Sequence, residues 1–79
     1  YAVEYFEAHV DSIKPGEKVI IVDDLIATGS SGISAIEIVE QLGGQVAAFE
    51  SVVELTSLEG VKRMRAAHPE VPVYTLIKF

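Results

Sequence analysis

Val19-Ile20-Ile21-Val22-Asp23-Asp24-Leu25-Ile26-Ala27-Thr28-Gly29-Ser30-Ser31-Gly32 is the stretch on which the fold turns. Four consecutive β-branched residues run into two carboxylates. A continuous Val/Ile run of this kind reads as a buried strand of a parallel sheet, covered by crossover helices. Leu-Ile-Ala follows, then a Thr-Gly-Ser-Ser-Gly turn, and after it an apolar pattern at helical spacing. In an open α/β sheet the ligand crevice lies beyond the carboxyl ends of the strands. A turn rich in glycine and hydroxyls that opens a helix leaves backbone N–H groups free to meet an anion. The acid pair and the anion cradle are therefore neighbours, as a sugar phosphate would require.

Upstream, Lys18 to Asp23 is the central strand, and Asp11 to Glu17 is a turn punctuated by Pro15-Gly16. Phe6 to Val10 reads as a short edge strand, and Tyr1 to Phe6 is aromatic and acidic without clean periodicity. Downstream, a helix is expected from about Ser30 to Leu42. Its core face holds Ala35, Ile38, Val39 and Leu42, with Ile33 out of phase. Gly43-Gly44 ends it. A second strand spans Gln45 to Leu55, with Ala47, Phe49, Val53 and Leu55 on one face and Val46, Ala48 and Val52 on the other, both largely covered. Strand, helix and strand make a βαβ unit whose crossover should be right-handed. Thr56-x-x-Glu59 matches a capping box opening a short helix through Leu58, Val61 and Met64 to about Ala67. Gly60 is its weak point. Val73 to Phe79 is a third strand. The fold class is α/β, one domain or one piece of one, without internal repeats.

The 79 residues are 49% hydrophobic and contain no cysteine, so neither disulfides nor Cys-bound zinc support the core. No apolar run reaches the roughly 18 residues of a spanning helix, and none resembles a signal peptide, which points to a cytoplasmic protein. A net charge of −6 argues against nucleic acid or an anionic membrane as partner. It also requires that main-chain amides and a metal ion, or basic groups elsewhere in the protein, balance any phosphate. The chain begins at Tyr1 without an initiator Met and carries more apolar strand than two short helices cover, so it reads as incomplete.

Adjacent residues of a strand point to opposite faces, so Asp23 and Asp24 are not a face-sharing acid/base dyad. Where the chain leaves the sheet, both carboxylates can approach one ligand, accepting hydrogen bonds from a vicinal diol or holding Mg²⁺ through water. The plainer alternative is that Asp23 caps the turn. Ala27, Thr28, Gly29, Ser30 and Ser31 are small enough for the backbone to approach a phosphate. They match neither a Walker A loop nor the dinucleotide GxGxxG, and an ordinary helix N-cap is the plainer alternative. His9 and His68 read as surface or loop residues, too few and too isolated for a metal cage. Lys62, Arg63 and Arg65 read as a solvated helix face. Glu50 and Glu54 share a face of the second strand.

Residues 19–31, Val-Ile-Ile-Val-Asp-Asp-Leu-Ile-Ala-Thr-Gly-Ser-Ser, resemble the phosphoribosyl pyrophosphate (PRPP) signature of the type I phosphoribosyltransferases. The form is that of the adenine-using members, Val-Asp-Asp-Leu-Leu-Ala-Thr-Gly-Gly-Thr. Ile13 to Val19, Ser51 to Gly60 and Tyr74 to Phe79 are similar to the flanking segments of those members. Tyr1-Ala2-Val3-Glu4-Tyr5 is similar to their flexible-loop Tyr-x-Leu-Glu-Tyr. The resemblance implies a Rossmann-like fold with a mostly parallel sheet. It makes residues 1–79 the C-terminal portion of a single domain, with 1–5 a remnant of the catalytic loop and 18–79 the PRPP-binding core. The implied reaction is adenine plus PRPP giving AMP and pyrophosphate, a purine-salvage step with Mg²⁺ as cofactor in a homodimer.

By position, the resemblance implies that Asp23 and Asp24 face the ribose hydroxyls, directly or through Mg²⁺-bound water. Ala27 to Ser31 would wrap the 5′-phosphate, and Glu4 would be a general acid near N7 of the purine. Three departures stand out. Ser30-Ser31 replaces the usual Gly-Thr, Tyr5-Phe6 reads as a splice across a missing loop segment, and the N-terminal half with its purine pocket and basic groups is absent. A PRPP-sensing regulator without chemistry, and a transferase for another base, are the competing expectations.

Overall fold

The computed structural model describes the backbone of residues 2–5 and all atoms of residues 14–79. Its elements are strand β1 (Ala2–Tyr5), strand β2 (Lys18–Ile26), helix α1 (Ser30–Gln41), strand β3 (Gln45–Glu54), a 3₁₀ turn (Thr56–Leu58), helix α2 (Gly60–Ala67) and strand β4 (Val73–Lys78). The four strands form one sheet in the order β1-β2-β3-β4, and every neighbouring pair is parallel. The expected edge strand at Phe6 to Val10 lies outside the described residues. Ala2–Tyr5, which the resemblance assigns to a flexible loop, pairs instead with the start of β2, placing Glu4 opposite Ile21.

Each crossover carries the chain one strand further in the same direction, so right-handed connections put both helices on one face of the sheet. The core confirms this placement. Val19, Ile21, Ile26, Phe49 and Val73 from the sheet meet Ala35, Ile36 and Val39 of α1 and Val61 and Met64 of α2 in a single cluster. Phe49, Ile21, Ile36, Met64 and Val19 are its largest fully buried side chains. The opposite face is exposed along β4, where Tyr74 and Leu76 are open to solvent, and at Val52 of β3. The expectation that the second strand is largely covered on both faces therefore holds for one face only.

Two apolar faces sit differently from their sequence reading. The buried stripe of α1 is Gly32, Ala35, Ile36 and Val39, and Ile33 packs against its edge. Leu42 is exposed and Ile38 only half-buried. Both stripes have helical spacing. The small Gly32 selects the observed one by letting α1 approach Met64 and Phe49. In β3, a register shift after Val19 pairs Val19 with Val46 and Ile20 with Ala48, which leaves Ala47 as the extra residue of a bulge. Strict alternation then fails at that point. Val46 packs against the core beside Phe49 and not on the far face with Ala48.

The capping box is not formed. Leu55 and Glu59 flank the 3₁₀ turn, and neither it nor α2 has a side-chain cap. Thr56 is engaged elsewhere, its N–H and its hydroxyl both donating to the Phe79 carbonyl at 2.6 Å. The end of β4 thus competes successfully for the hydroxyl that the local pattern assigns to the helix.

Candidate functional site

Strand β2 continues to Ile26, so Asp23 and Asp24 lie within its last turn of pleat and not beyond it. Burial along β2 changes phase there: Val19 and Ile21 are buried, then Ile26, while Asp24 and Leu25 are exposed. At this end of the strand both acids border one cleft despite their adjacency. Asp23, Asp24, Ala27, Thr28, Gly29 and Ser31 line a common cleft of about 570 Å³, with Phe49, Gly32 and Val52 contributing its apolar wall. A volume of that size falls in the usual range for small-molecule sites. Of the expected phosphate-turn residues only Ser30 stands outside the lining; its hydroxyl accepts a hydrogen bond from Thr28 Oγ1 at 3.3 Å.

The turn is built for close approach. Gly29 is the N-cap of α1, in the left-handed region at φ 89° and without a side-chain cap. The first helical bond runs from the Ile33 N–H to the Gly29 carbonyl. The amides of Ser30, Ser31 and Gly32 precede that ladder and have no intrahelical acceptor. Ser30 N–H makes only a long contact to Thr28 Oγ1, 3.4 Å. From below, α2 presses its first residue onto the turn. A Cβ on Gly60 would lie 2.2 Å from the Ala27 carbonyl oxygen, and one on Gly29 would lie 2.5 Å from the Gly60 oxygen. The two glycines meet backbone to backbone, which fixes the turn from one side and leaves its other side along the cleft.

Gly60 and Arg63 are the parts of this site that the sequence reading missed. The signal for Gly60 was present as a glycine inside an otherwise helical pattern, which marks a tight packing point. Arg63, expected in a solvated face, donates from Nη1 to the Thr28 carbonyl at 3.4 Å, and Arg65 donates from Nη2 to the Val73 carbonyl at 3.2 Å. Lys62 alone keeps the expected solvent-side role, 3.9 Å from Glu59.

Asp23 is half-buried, and its Oδ1 accepts the Asp24 N–H at 2.8 Å. Burial raises its pKa above the ordinary 3.8. The neighbouring Asp24 carboxylate adds to the rise as a hydrogen-bond partner and a like charge, and backbone N–H groups of Asp24 and Leu25 partly oppose it. The folded chain therefore holds the Asp23 proton to higher pH than the unfolded chain does. Stability falls as pH rises through the window that opens at 3.8 and closes at the raised value, and the loss persists above it. Asp23→Asn, whose amide oxygen can still accept the Asp24 N–H, should leave Tm at pH 7 unchanged or higher. It should also flatten the fall in Tm from acid to neutral pH. A Tm lowered by several degrees at pH 7 would assign the carboxylate a stabilising role instead.

The side-chain donor set at the mouth of the cleft consists of oxygens only, two carboxylates and two hydroxyls. No Lys or Arg lines the cleft among the described residues. A raised Asp23 beside a second carboxylate is an uncompensated charge pair, which a hard divalent cation with oxygen preference matches. Asp23 and Asp24 thus fit Mg²⁺, directly or through water.

A parallel α/β sheet with an acid pair at a strand end and a glycine- and hydroxyl-rich turn at a helix mouth is the arrangement expected of a phosphoribosyltransferase core. The chain belongs to that family: the family model described as uracil phosphoribosyltransferase matches residues 1–77. Its individual relatives carry a more particular description. The chain is 49% identical over all 79 residues to an adenine phosphoribosyltransferase of Rhodopseudomonas palustris, 42% of whose length it covers. The crystal structure of adenine phosphoribosyltransferase from Rhodothermus marinus superposes on 90% of this chain and 39% of that one, with TM-score 0.80 and 44% identity. The Saccharomyces cerevisiae enzyme, complexed with an imino-altritol bisphosphate and adenine, matches 85% of this chain and 35% of its own, with TM-score 0.70 and 43% identity. The chain therefore spans less than half the length of the relatives it matches.

Proposed function

We propose that the protein carrying this chain is an adenine phosphoribosyltransferase, converting adenine and PRPP to AMP and pyrophosphate in purine salvage. The observation that carries the reading is the shared cleft: the acid pair Asp23-Asp24 and the turn residues Ala27, Thr28, Gly29 and Ser31 border one volume of a size suited to a sugar phosphate. The relatives' names supply the base, and the yeast enzyme's complex with adenine and a bisphosphate is in keeping with it.

In this reading the amides of Thr28 to Ser31 and the hydroxyls of Thr28 and Ser31 hold the 5′-phosphate. Asp23 and Asp24 accept hydrogen bonds from the ribose hydroxyls and orient the sugar. The cofactor proposed is Mg²⁺, which Asp23 and Asp24 would hold; it supplies positive charge against the phosphates. Glu4 acts on the proton at N7 of the base, easing formation or cleavage of the bond to a cationic ribosyl centre. Glu4→Gln is then expected to lower kcat far more than it weakens AMP binding. Equal losses in both would make Glu4 a positioning residue. The enzyme would be a cytoplasmic homodimer acting on small molecules, with the exposed apolar strip of β4 favouring a covering subunit or further chain.

The deciding experiment is turnover of the full-length protein with PRPP and a panel of adenine, guanine, uracil and orotate. Adenine should be used at least about tenfold more efficiently than the others, a difference of about 1.4 kcal/mol. Preference for uracil would favour the name of the matching family model over that of the relatives. PRPP binding without turnover on any base would leave a sensor.

A further inference from the structure

The two helices end, away from the cleft, on His68. This residue closes α2 and is only 9% exposed, although the sequence pattern places it in a loop. Its Nε2, the nitrogen on the Glu37 side of the ring, is buried without a hydrogen-bond partner, so the ring as placed leaves a donor or acceptor unsatisfied. Three carboxylates surround the ring. Glu37 Oε2 lies 3.8 Å from Nε2, while Glu40 Oε1 and Glu70 Oε1 lie 3.9 and 3.4 Å from Nδ1.

These separations are too long for charge-assisted hydrogen bonds, which run at about 2.7–2.9 Å. They approach the spacing of ligands around a metal. Bonds of about 2.0–2.1 Å to a tetrahedral Zn²⁺ put neighbouring donor atoms roughly 3.3 Å apart. One donor atom from each of Glu40, His68 and Glu70 already lies within 4.8 Å of the others. Charge points the same way. Glu37 and Glu40 stand in the last two turns of α1, which has no basic residue in its last turn, so they add to the negative end of the helix dipole. The cations of α2 are turned elsewhere, Lys62 to Glu59, Arg63 to Thr28 and Arg65 to Val73.

We propose that Glu40, His68 and Glu70 form a binding site for a Zn²⁺-type divalent cation, with His68 ligating through Nδ1 and turning its Nε2–H toward Glu37. One imidazole and two carboxylates suit a borderline metal better than Mg²⁺, which prefers oxygen alone. A carboxylate behind the ligating histidine fixes its tautomer and ring orientation, which is the place Glu37 occupies. Glu40 and Glu70 are 42% and 60% exposed at their side chains, so an ion has a path in from solvent. The site fastens the last turn of α1 to the connection between α2 and β4. It thereby holds together the two helices whose opposite ends, at Gly29 and Gly60, make the mouth of the cleft.

The test uses chelator-treated full-length protein titrated with Co²⁺, followed by its visible absorption, and then with competing Zn²⁺. One Co²⁺ per chain should bind at this site and be displaced by Zn²⁺. Affinity should fall about 10- to 100-fold in Glu37→Gln and further in Glu40→Gln/Glu70→Gln and in His68→Gln. Asp23→Asn/Asp24→Asn should leave this binding unchanged, which separates it from any cation in the cleft. Zn²⁺ should raise the Tm of the native protein and not that of Glu40→Gln/Glu70→Gln. The last variant alters only exposed side chains, so the test stands even if His68→Gln fails to fold. Equal Co²⁺ affinity in the native protein and Glu40→Gln/Glu70→Gln would overturn the proposal. So would binding lost with Asp23 and Asp24 and retained without Glu40 and Glu70.

Discussion

Asp23→Asn/Asp24→Asn in the full-length protein is expected to lower kcat for AMP formation by about 10²- to 10³-fold, the scale on which removing a charge-stabilising group in an active site is felt. Both acids line the cleft, and amides in their place could still accept a hydrogen bond but, without charge, would hold a divalent cation far more weakly. The effect should come with little loss of structure. Asp23 is desolvated and faces a like charge, so its carboxylate opposes folding at neutral pH. A variant that loses turnover while holding its Tm separates function from stability at this acid pair. Activity within a few-fold of native would remove both residues from the reaction and reduce Asp23 to the partner of the Asp24 N–H.

Much of this candidate site is legible in the sequence because its signals are local. The Val/Ile run, the acid pair and the Thr-Gly-Ser-Ser turn lie within fourteen consecutive residues, and each follows from backbone chemistry over that span. What escaped depended on contacts between distant segments. The face of α1 was misassigned by three residues along the helix because two stripes of equal spacing exist, and only Met64 and Phe49 against Gly32 select between them. The bulge at Ala47 is set by pairing with β2. Thr56 lost its capping role to the Phe79 carbonyl, 23 residues away. His68 looked isolated because its carboxylate neighbours Glu37 and Glu40 belong to the preceding helix. Local propensity yields in each case to a tertiary partner that no window of sequence contains.

Gly60→Ala carries the second large expectation, a loss of several degrees in Tm together with an approximately tenfold or greater loss of PRPP affinity. The added methyl would lie 2.2 Å from the Ala27 oxygen, 2.7 Å from Ile26 Cγ2 and 2.9 Å from the Gly29 nitrogen. Two of these are main-chain atoms of the turn itself and have no rotamer by which to escape. Either α2 lifts away, disturbing the burial of Val61 and Met64, or the turn moves and its amides leave their common focus. Overpacking of this kind costs about 1–3 kcal/mol and occasionally more, whereas helix propensity alone would make Gly to Ala stabilising by roughly 1 kcal/mol. The sign of the Tm change therefore decides between packing and propensity. Gly32→Ala is the matched control: its Cβ would meet chiefly the Met64 Cε and Sδ, at 2.5 and 2.8 Å, the far end of a flexible side chain. Its stability cost should be smaller, because methionine can adopt another rotamer. If Gly60→Ala instead raises Tm and binds PRPP normally, the backbone contact between α2 and the turn does not position the cradle, and the site's geometry must be set by β2 and α1 alone.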